Sequence, residues 1–312
     1  MADLTAPMFT DDTAALEHFT AIRWPNGPIC PLCNQTETVA KLGGQSMGPG
    51  WYHCRTCRRK FTALVGTIYH RSHIPLHKWL LATHLMCSSK KGMSAHQLHR
   101  MLGLTYKSAW FMAHRIRESM RETSPEDFGP LGGEGETVEA DETYIGGKAR
   151  NRKNHVPPKE AAFALVQRGG RVRSRHVLSV NGETLGPILA AQIDKRSWVI
   201  TDDSPVYSPI AAQFAGHSTV NHSAEEYVRG FFHHTNTIEN YFSILKRGII
   251  GTYHHVSPQH LKRYFGEFDF RYNERVGLGV SDAERAIKAV RGTVGKRMTY
   301  QQPAGRPREA SA

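Results

Sequence analysis

No stretch of about 18 consecutive apolar residues occurs, and the opening MADLTAPMFTDDTAALEHF lacks the basic start and apolar core of a secretion signal. Neither a membrane span nor export is expected, and the chain reads as cytoplasmic. Cysteine is scarce, at five in 312 residues. The odd count, with four of the five in two Cys-x-x-Cys pairs, excludes a disulfide framework as the organising feature and points to metal in a reducing compartment. The fifth, Cys87, stands in a helical-looking segment and is expected as a small core residue. Acidic residues are the minority, 28 Asp and Glu against 40 Lys and Arg, leaving a formal charge of +12. That balance disfavours an acidic small molecule as the main partner and favours a polyanion such as nucleic acid, although ribosomal proteins and secreted basic enzymes share it. There is no internal repeat, and 39% hydrophobic residues over this length support two or three compact units rather than a disordered chain.

Three segments differ in texture. Residues 1–72 are loop-rich and hold the paired cysteines; residues 73–123 are helical, opened by Pro75 where a helix tolerates proline; residues 136–295 mix strands and helices. Between the last two, TSPEDFGPLGGEGE is too rich in Gly, Pro and acid to continue a helix and reads as a linker. Residues 296–312 have almost nothing apolar to bury and read as a disordered tail. Within the mixed region, strands are expected over Thr137 to Ile145, Ala161 to Gln167 and Val172 to Val180, the last two joined as a hairpin through Gly169 and Gly170. Leu185, Ile188, Leu189 and Ile193 follow helical spacing, and Trp198 to Thr201 is a short apolar strand running into Asp202. A polar, His-bearing stretch then precedes a helix from Thr237 to Lys246, whose Ile238, Tyr241, Phe242 and Leu245 share a face.

Cys30 and Cys33 form one knuckle and Cys54 and Cys57 another, roughly 20 residues further on. That spacing brings four thiolates around one tetrahedral Zn2+, which a segment so poor in large apolar residues needs to hold its shape. Around the second knuckle Arg55, Arg58, Arg59 and Lys60 interleave with Trp51, Tyr52 and Phe61. The cations suit DNA phosphates, while the aromatics are expected to pack beneath the knuckle, with Trp24 completing that core. In SAHQLHRMLGLTYKSAWFMAHRIRESM, Gly103 marks a turn and Thr105 caps a second helix with an apolar stripe at Ala109, Met112, Ala113, Ile116 and Met120. This reads as a helix-turn-helix leaving Lys107, Ser108, Arg115 and Arg117 outside the stripe, with Leu76 to Cys87 as the third helix.

Three acids are placed for metal-dependent phosphodiester chemistry, which needs hard oxygen ligands converging from separate parts of a fold. Asp141 lies within the first strand, on one face with Glu139 and opposite Glu142; Asp202 closes an apolar strand; Glu239 sits near the start of a helix with Lys246 two turns later. Singly, each has a plain alternative as a loop cap, an acid favouring a helix dipole or a solvated end residue. Together they punctuate a strand and helix order that predicts an α/β, ribonuclease-H-like catalytic domain behind an N-terminal zinc ribbon and a helical helix-turn-helix domain. Glu139, Glu142 and Asp203 are the neighbouring acids from which the three must be told apart.

The stretches ADETYIGGK, TDDSPVY and HTNTIENYFSILKRGIIGTYHHVSPQHLKRYFGEFDFRYN resemble the zinc-ribbon, ISXO-like branch of bacterial insertion-sequence DDE transposases. The resemblance runs from the knuckles through Asn273. It implies that Asp141, Asp202 and Glu239 are the catalytic acids holding Mg2+ (or Mn2+), with Lys246 as their basic companion, and that His234, Arg247 and His254 line a DNA path. Its implied partners are DNA, as element terminal inverted repeats and as target, and further copies of the chain in a homodimer or higher assembly near the nucleoid. A non-catalytic zinc-ribbon regulator and a structure-specific nuclease of the same fold remain the alternatives.

Overall fold

A computed structural model describes residues 3–44, 47–122, 129–146, 159–207, 212–220 and 234–298. The linker residues 123–128, much of the His-bearing stretch before Glu239, and the tail from residue 299 lie outside the described residues.

Two helices open the chain, α1 (Pro7–Thr10) and α2 (Asp12–Arg23). Asp11 caps α2 by accepting the Ala14 N–H at 2.7 Å. Only Ala15 and Phe19 of α2 are buried, Phe19 edge-on against Tyr69 with ring centroids 5.2 Å apart. With so few apolar contacts the helix has little sequence signature, and the loop-rich reading of this segment missed it. The ribbon follows as three antiparallel strands, β1 (Val39–Lys41), β2 (Trp51–Cys54) and β3 (Arg59–Thr62).

Helices α3 (Leu76–Ser88), α4 (Ala95–Leu102) and α5 (Tyr106–Met120) come next. Ser94 and Thr105 cap α4 and α5 through the N–H groups of Gln97 and Ser108. Gly103 ends α4 at φ +60°, a left-handed conformation that glycine adopts without a Cβ clash. Cys87 is fully buried in the helical core, as expected.

A mixed five-stranded sheet forms the rest of the core. Its strands are β4 (Thr137–Gly146), β5 (Lys159–Gln167), β6 (Val172–Val177), β7 (Trp198–Asp202) and β8 (Gly216–Val220), in the order β6-β5-β4-β7-β8. The first three make an antiparallel meander; β7 pairs parallel to β4, and β8 parallel to β7. Helix α6 (Gly182–Gln192) crosses between β6 and β7 and packs Leu185 and Leu189 on one face with Val138, Ala140, Phe163 and Leu165. On the other face α7 (Asn236–Gly248) and α8 (Pro258–Asn273) cover Ile145, Ala162, Ala164 and Val172. The last helix, α9 (Asp282–Arg291), follows the sheet in sequence but joins the helical core in space, packing on α3 with Ala289 and Val290 buried there. Among the described residues no helix is long and apolar enough to cross a membrane.

Candidate metal centres and nucleic-acid interface

At the ribbon, the backbone turns before β1 and after β2 bring the four cysteine sulfurs together. Cys30 and Cys57 lie 3.7 Å apart and Cys33 and Cys54 3.6 Å apart, and all four ligand atoms fall within 4.8 Å of one another. A tetrahedron with metal–sulfur bonds of about 2.3 Å has edges of about 3.8 Å, so the donor set fits zinc. Within the cluster the Cys57 backbone N–H lowers the Cys54 thiol, while Cys33 and Cys57 are pushed up beside it. Beneath the knuckles Trp24 packs edge-on against Tyr52 and Phe61, which stack on each other, while Trp51 stays on the surface. Arg55, Arg58, Arg59 and Lys60 are all exposed around the second knuckle.

The helix pair departs from expectation at α5. Lys107 is exposed, but Arg115 donates to the carbonyls of Ile68 and Met298, and Arg117 is buried with its Nε 2.6 Å from Glu267 of α8. Arg117 also lies over the Tyr264 ring, 4.1 Å from its centroid. The expectation that Arg115 and Arg117 lie outside the packed face is therefore corrected. Helix α5 is packed from both sides, its apolar stripe against α4 and its other face against α8, so beyond its first turn little of it remains on the surface.

The acids singled out from the sequence converge at one end of the sheet. Beyond Glu139 and Ile200, the last paired residues of the parallel β4–β7 ladder, two further steps reach Asp141 and Asp202. Helix α7 brings Glu239 over the same face of β4. Burial pushes the Asp141 carboxyl up to about 7, and the negative charges of Glu142, Asp202 and Glu239 push the same way against the Glu142 N–H, which donates to Asp141 at 2.7 Å. Asp202 and Glu239, from two other elements, thus lie close enough for their charges to act on Asp141. The three acids are not as tightly gathered as the cysteines: among the described residues the one group of three or more metal-ligating side chains with atoms within 4.8 Å of one another is the four-cysteine cluster. Lys246 is exposed on the flank of α7 that carries Glu239.

Two neighbouring acids have definite places. Glu142 accepts the Tyr207 hydroxyl at 2.5 Å, and burial, with repulsion from Asp202, raises its carboxyl. Glu139 is fully buried and does not join the cluster; it holds the start of α7. Its carboxylate accepts from the Ile238 N–H and the Thr237 hydroxyl, both at 2.9 Å, and from Arg168 Nε at 2.7 Å, with His234 3.6 Å away. Sequence reasoning placed Glu139 on the Asp141 face of the strand but missed this role. His254 and Arg247 are exposed, each bonded to a carbonyl of its own helical turn.

The chain is similar to known proteins. Residues 130–273 match the ISXO2-like transposase domain, and residues 10–60 match the transposase zinc-ribbon domain. An uncharacterized protein in transposable element ISH50 of Halobacterium salinarum is 28% identical over 283 residues, covering 84% of this chain and 91% of that protein.

Proposed function

Because this chain belongs to the ISXO2-like transposases that carry a transposase zinc ribbon, we propose that it is a DDE transposase, binding insertion-sequence ends, cutting DNA and joining the freed ends to target DNA. The observation that carries the proposal is the convergence of Asp202 on β7 and Glu239 on α7 toward Asp141 of β4, close enough for their charges to act on it. The strand order, a three-stranded antiparallel meander extended by two parallel strands, supports a ribonuclease-H-like catalytic domain over residues 136–295.

In this reading Asp141, Asp202 and Glu239 hold Mg2+ (or Mn2+), which when bound polarises phosphate oxygens and lowers the pKa of water. Their carboxylate oxygens are the hard donors such an ion takes, and their mutual repulsion is relieved by a cation. Glu139 fixes the direction of α7 and hence of Glu239. Lys246, two turns along, neutralises a phosphate of the bound strand. No side chain forms a bond to DNA: water is the nucleophile for cutting and the freed 3′ hydroxyl for joining. The ribbon, folded on structural Zn2+ over residues 1–72, supplies Arg55, Arg58, Arg59 and Lys60 to phosphates, and the helix pair within residues 73–123 adds Lys107. Terminal inverted repeats and target DNA are the partners, in a homodimer or larger complex that can bring two ends together, working in the cytoplasm at the nucleoid.

The test is a cleavage and strand-transfer assay on supercoiled DNA bearing the element's own ends, with Mg2+. The native chain should join ends to target, while Asp141→Asn, Asp202→Asn and Glu239→Gln bind the ends and do neither step. Cutting without joining would favour a plain nuclease, and binding without cutting in every protein would favour a non-catalytic regulator.

A further inference from the structure

On the flank of α7 away from Lys246, a cavity of about 690 Å³ opens between the end of α3, the start of α7 and the end of α8. Its size is that of a small-molecule site. Its lining is one-sidedly cationic: Lys90, Arg271, Arg275 and Arg285 face a single carboxylate, Asp282. Arg285 is bonded to Asp282 and to the carbonyls of Cys87 and Glu274.

Arg271 is the unusual member. Its side chain is 6% exposed, and one edge of its guanidinium is held by Glu267. Glu267, itself fully buried, already pairs with Arg117 and accepts the Tyr253 hydroxyl. Two buried guanidinium groups therefore share one carboxylate, leaving a net positive charge inside the protein. The Nε and Nη2 of Arg271 are buried and have no hydrogen-bond partner among the described residues. A buried charge with unmet donors is costly unless an anion completes it. The guanidinium lies over the Phe268 ring, 4.6 Å from its centroid, and Arg275 lies over Tyr272 at 4.3 Å. Tyr272, half-buried, offers apolar ring surface in the same cavity, and Asn236 and Asn240, exposed on the first turns of α7, offer both donors and acceptors at its mouth.

We propose that this cavity is a nucleoside-phosphate site: Arg271 takes the phosphate, the Tyr272 ring takes the base, and Asn236 and Asn240 read its edge. Two sources supply that chemistry, a nucleotide unstacked from the DNA strand at the neighbouring carboxylates and a free mononucleotide. The first source rests on the transposase reading; the second does not.

Two measurements on the full chain decide it. Calorimetric titration with dAMP, with inorganic phosphate as the control, is compared in the native protein, Arg271→Gln and Asn240→Trp. The last variant blocks the mouth from an exposed position and leaves the buried ion cluster untouched, and unchanged melting verifies its fold. Duplexes of the element's ends with 2-aminopurine at each position near the cut report unstacking by a rise in fluorescence. A rise in the native protein that Asn240→Trp abolishes assigns the site to the DNA strand. Binding of dAMP at least tenfold tighter than phosphate, weakened tenfold or more by Asn240→Trp, without a fluorescence rise, assigns it to a free mononucleotide. Neither signal, or either one unchanged in Asn240→Trp, overturns the proposal. Failure of the chain to bind the duplexes at all counts against the transposase reading, and the dAMP titration still decides the site.

Discussion

Glu139 and Ile238 are joined by a 2.9 Å hydrogen bond from the Ile238 backbone N–H to the Glu139 carboxylate, across 99 residues of sequence. The bond caps α7 from the middle of the sheet and fixes the helix that carries Glu239 to the strand that carries Asp141. Because Glu139 is fully buried and paired with Arg168, Glu139→Ala leaves a cation and two donors without their acceptor and should destabilise the fold by about 3 kcal/mol in urea denaturation. Glu139→Gln keeps an acceptor for Ile238 and should fold. A displacement of Glu239 by about 1 Å should still lower cleavage on the order of 100-fold, with end binding unchanged in a mobility-shift assay. Native cleavage by a well-folded Glu139→Gln chain would remove Glu139 from the positioning of α7.

The knuckles have few apolar contacts of their own beyond the Trp24, Tyr52 and Phe61 rings beneath them, and their four sulfurs need a metal to hold them together. Cys54 is buried among the four sulfurs, so Cys54→Ser should lose bound zinc in elemental analysis and lose ribbon order in amide exchange over residues 30–62. Chelation of the native protein should do the same. The sheet should keep its protection, because the clusters of buried side chains on its two faces contain no knuckle residue. Uniform loss of protection across the whole chain would contradict this division.

How far the fold can be read from sequence depended on how many of an element's residues face a core. Strand β4 was expected over Thr137 to Ile145 and ends at Gly146, and β7 was expected from Trp198 to Thr201 and ends one residue later. Strand β7 is a short run with an apolar centre and an abrupt end, and β4 stops at a glycine. Strand β8, Gly216–Val220, was not foreseen: it lies at the sheet edge, buries only Val220, and its GHSTV composition carries no alternation. Helix α2 escaped for the same reason. The cysteine spacing was legible because four equivalent ligands in two pairs constrain one another. The role of Glu139 was not, since an acid on a strand face gives no sign of which helix will come to rest on it. Nor could local sequence show that Glu267, on a helix 150 residues further along, would bury Arg117.

Asp269 ties the edge of the sheet to two helices, accepting from the Ser174 N–H at 2.8 Å, the Ser174 hydroxyl at 2.7 Å and the Tyr241 hydroxyl at 2.6 Å. Burial pushes its carboxyl up to about 7 from an ordinary 3.8, despite those three donors. Between these values the folded chain holds a proton that the unfolded chain has released. Its contribution to stability is therefore fully present below about pH 4, falls as pH rises toward 7 and is lost above it. The slope approaches about 1.4 kcal/mol per pH unit at its steepest. Asp269→Asn should flatten this part of the stability curve, measured by urea denaturation from pH 4 to pH 8. A slope that persists unchanged in the variant would assign the effect to other groups.

Arg117 and Arg55 look interchangeable in a sequence, each a cation in a segment with the marks of DNA binding, and the structure assigns them opposite physics. Arg117 is 2% exposed and bound to Glu267; Arg55 projects from the ribbon. Arg117→Ala strips Glu267 of one of its two cations and should lower stability by about 3 kcal/mol, while leaving the salt dependence of end binding as it was. Arg55→Ala should melt like the native chain. If its guanidinium neutralises one phosphate, the slope of log affinity against log salt should fall by about 0.9. Measuring both variants by salt titration and thermal melting separates the roles: a reduced salt slope in Arg117→Ala would return α5 to the DNA surface, and an unchanged slope in Arg55→Ala would turn the second knuckle away from it.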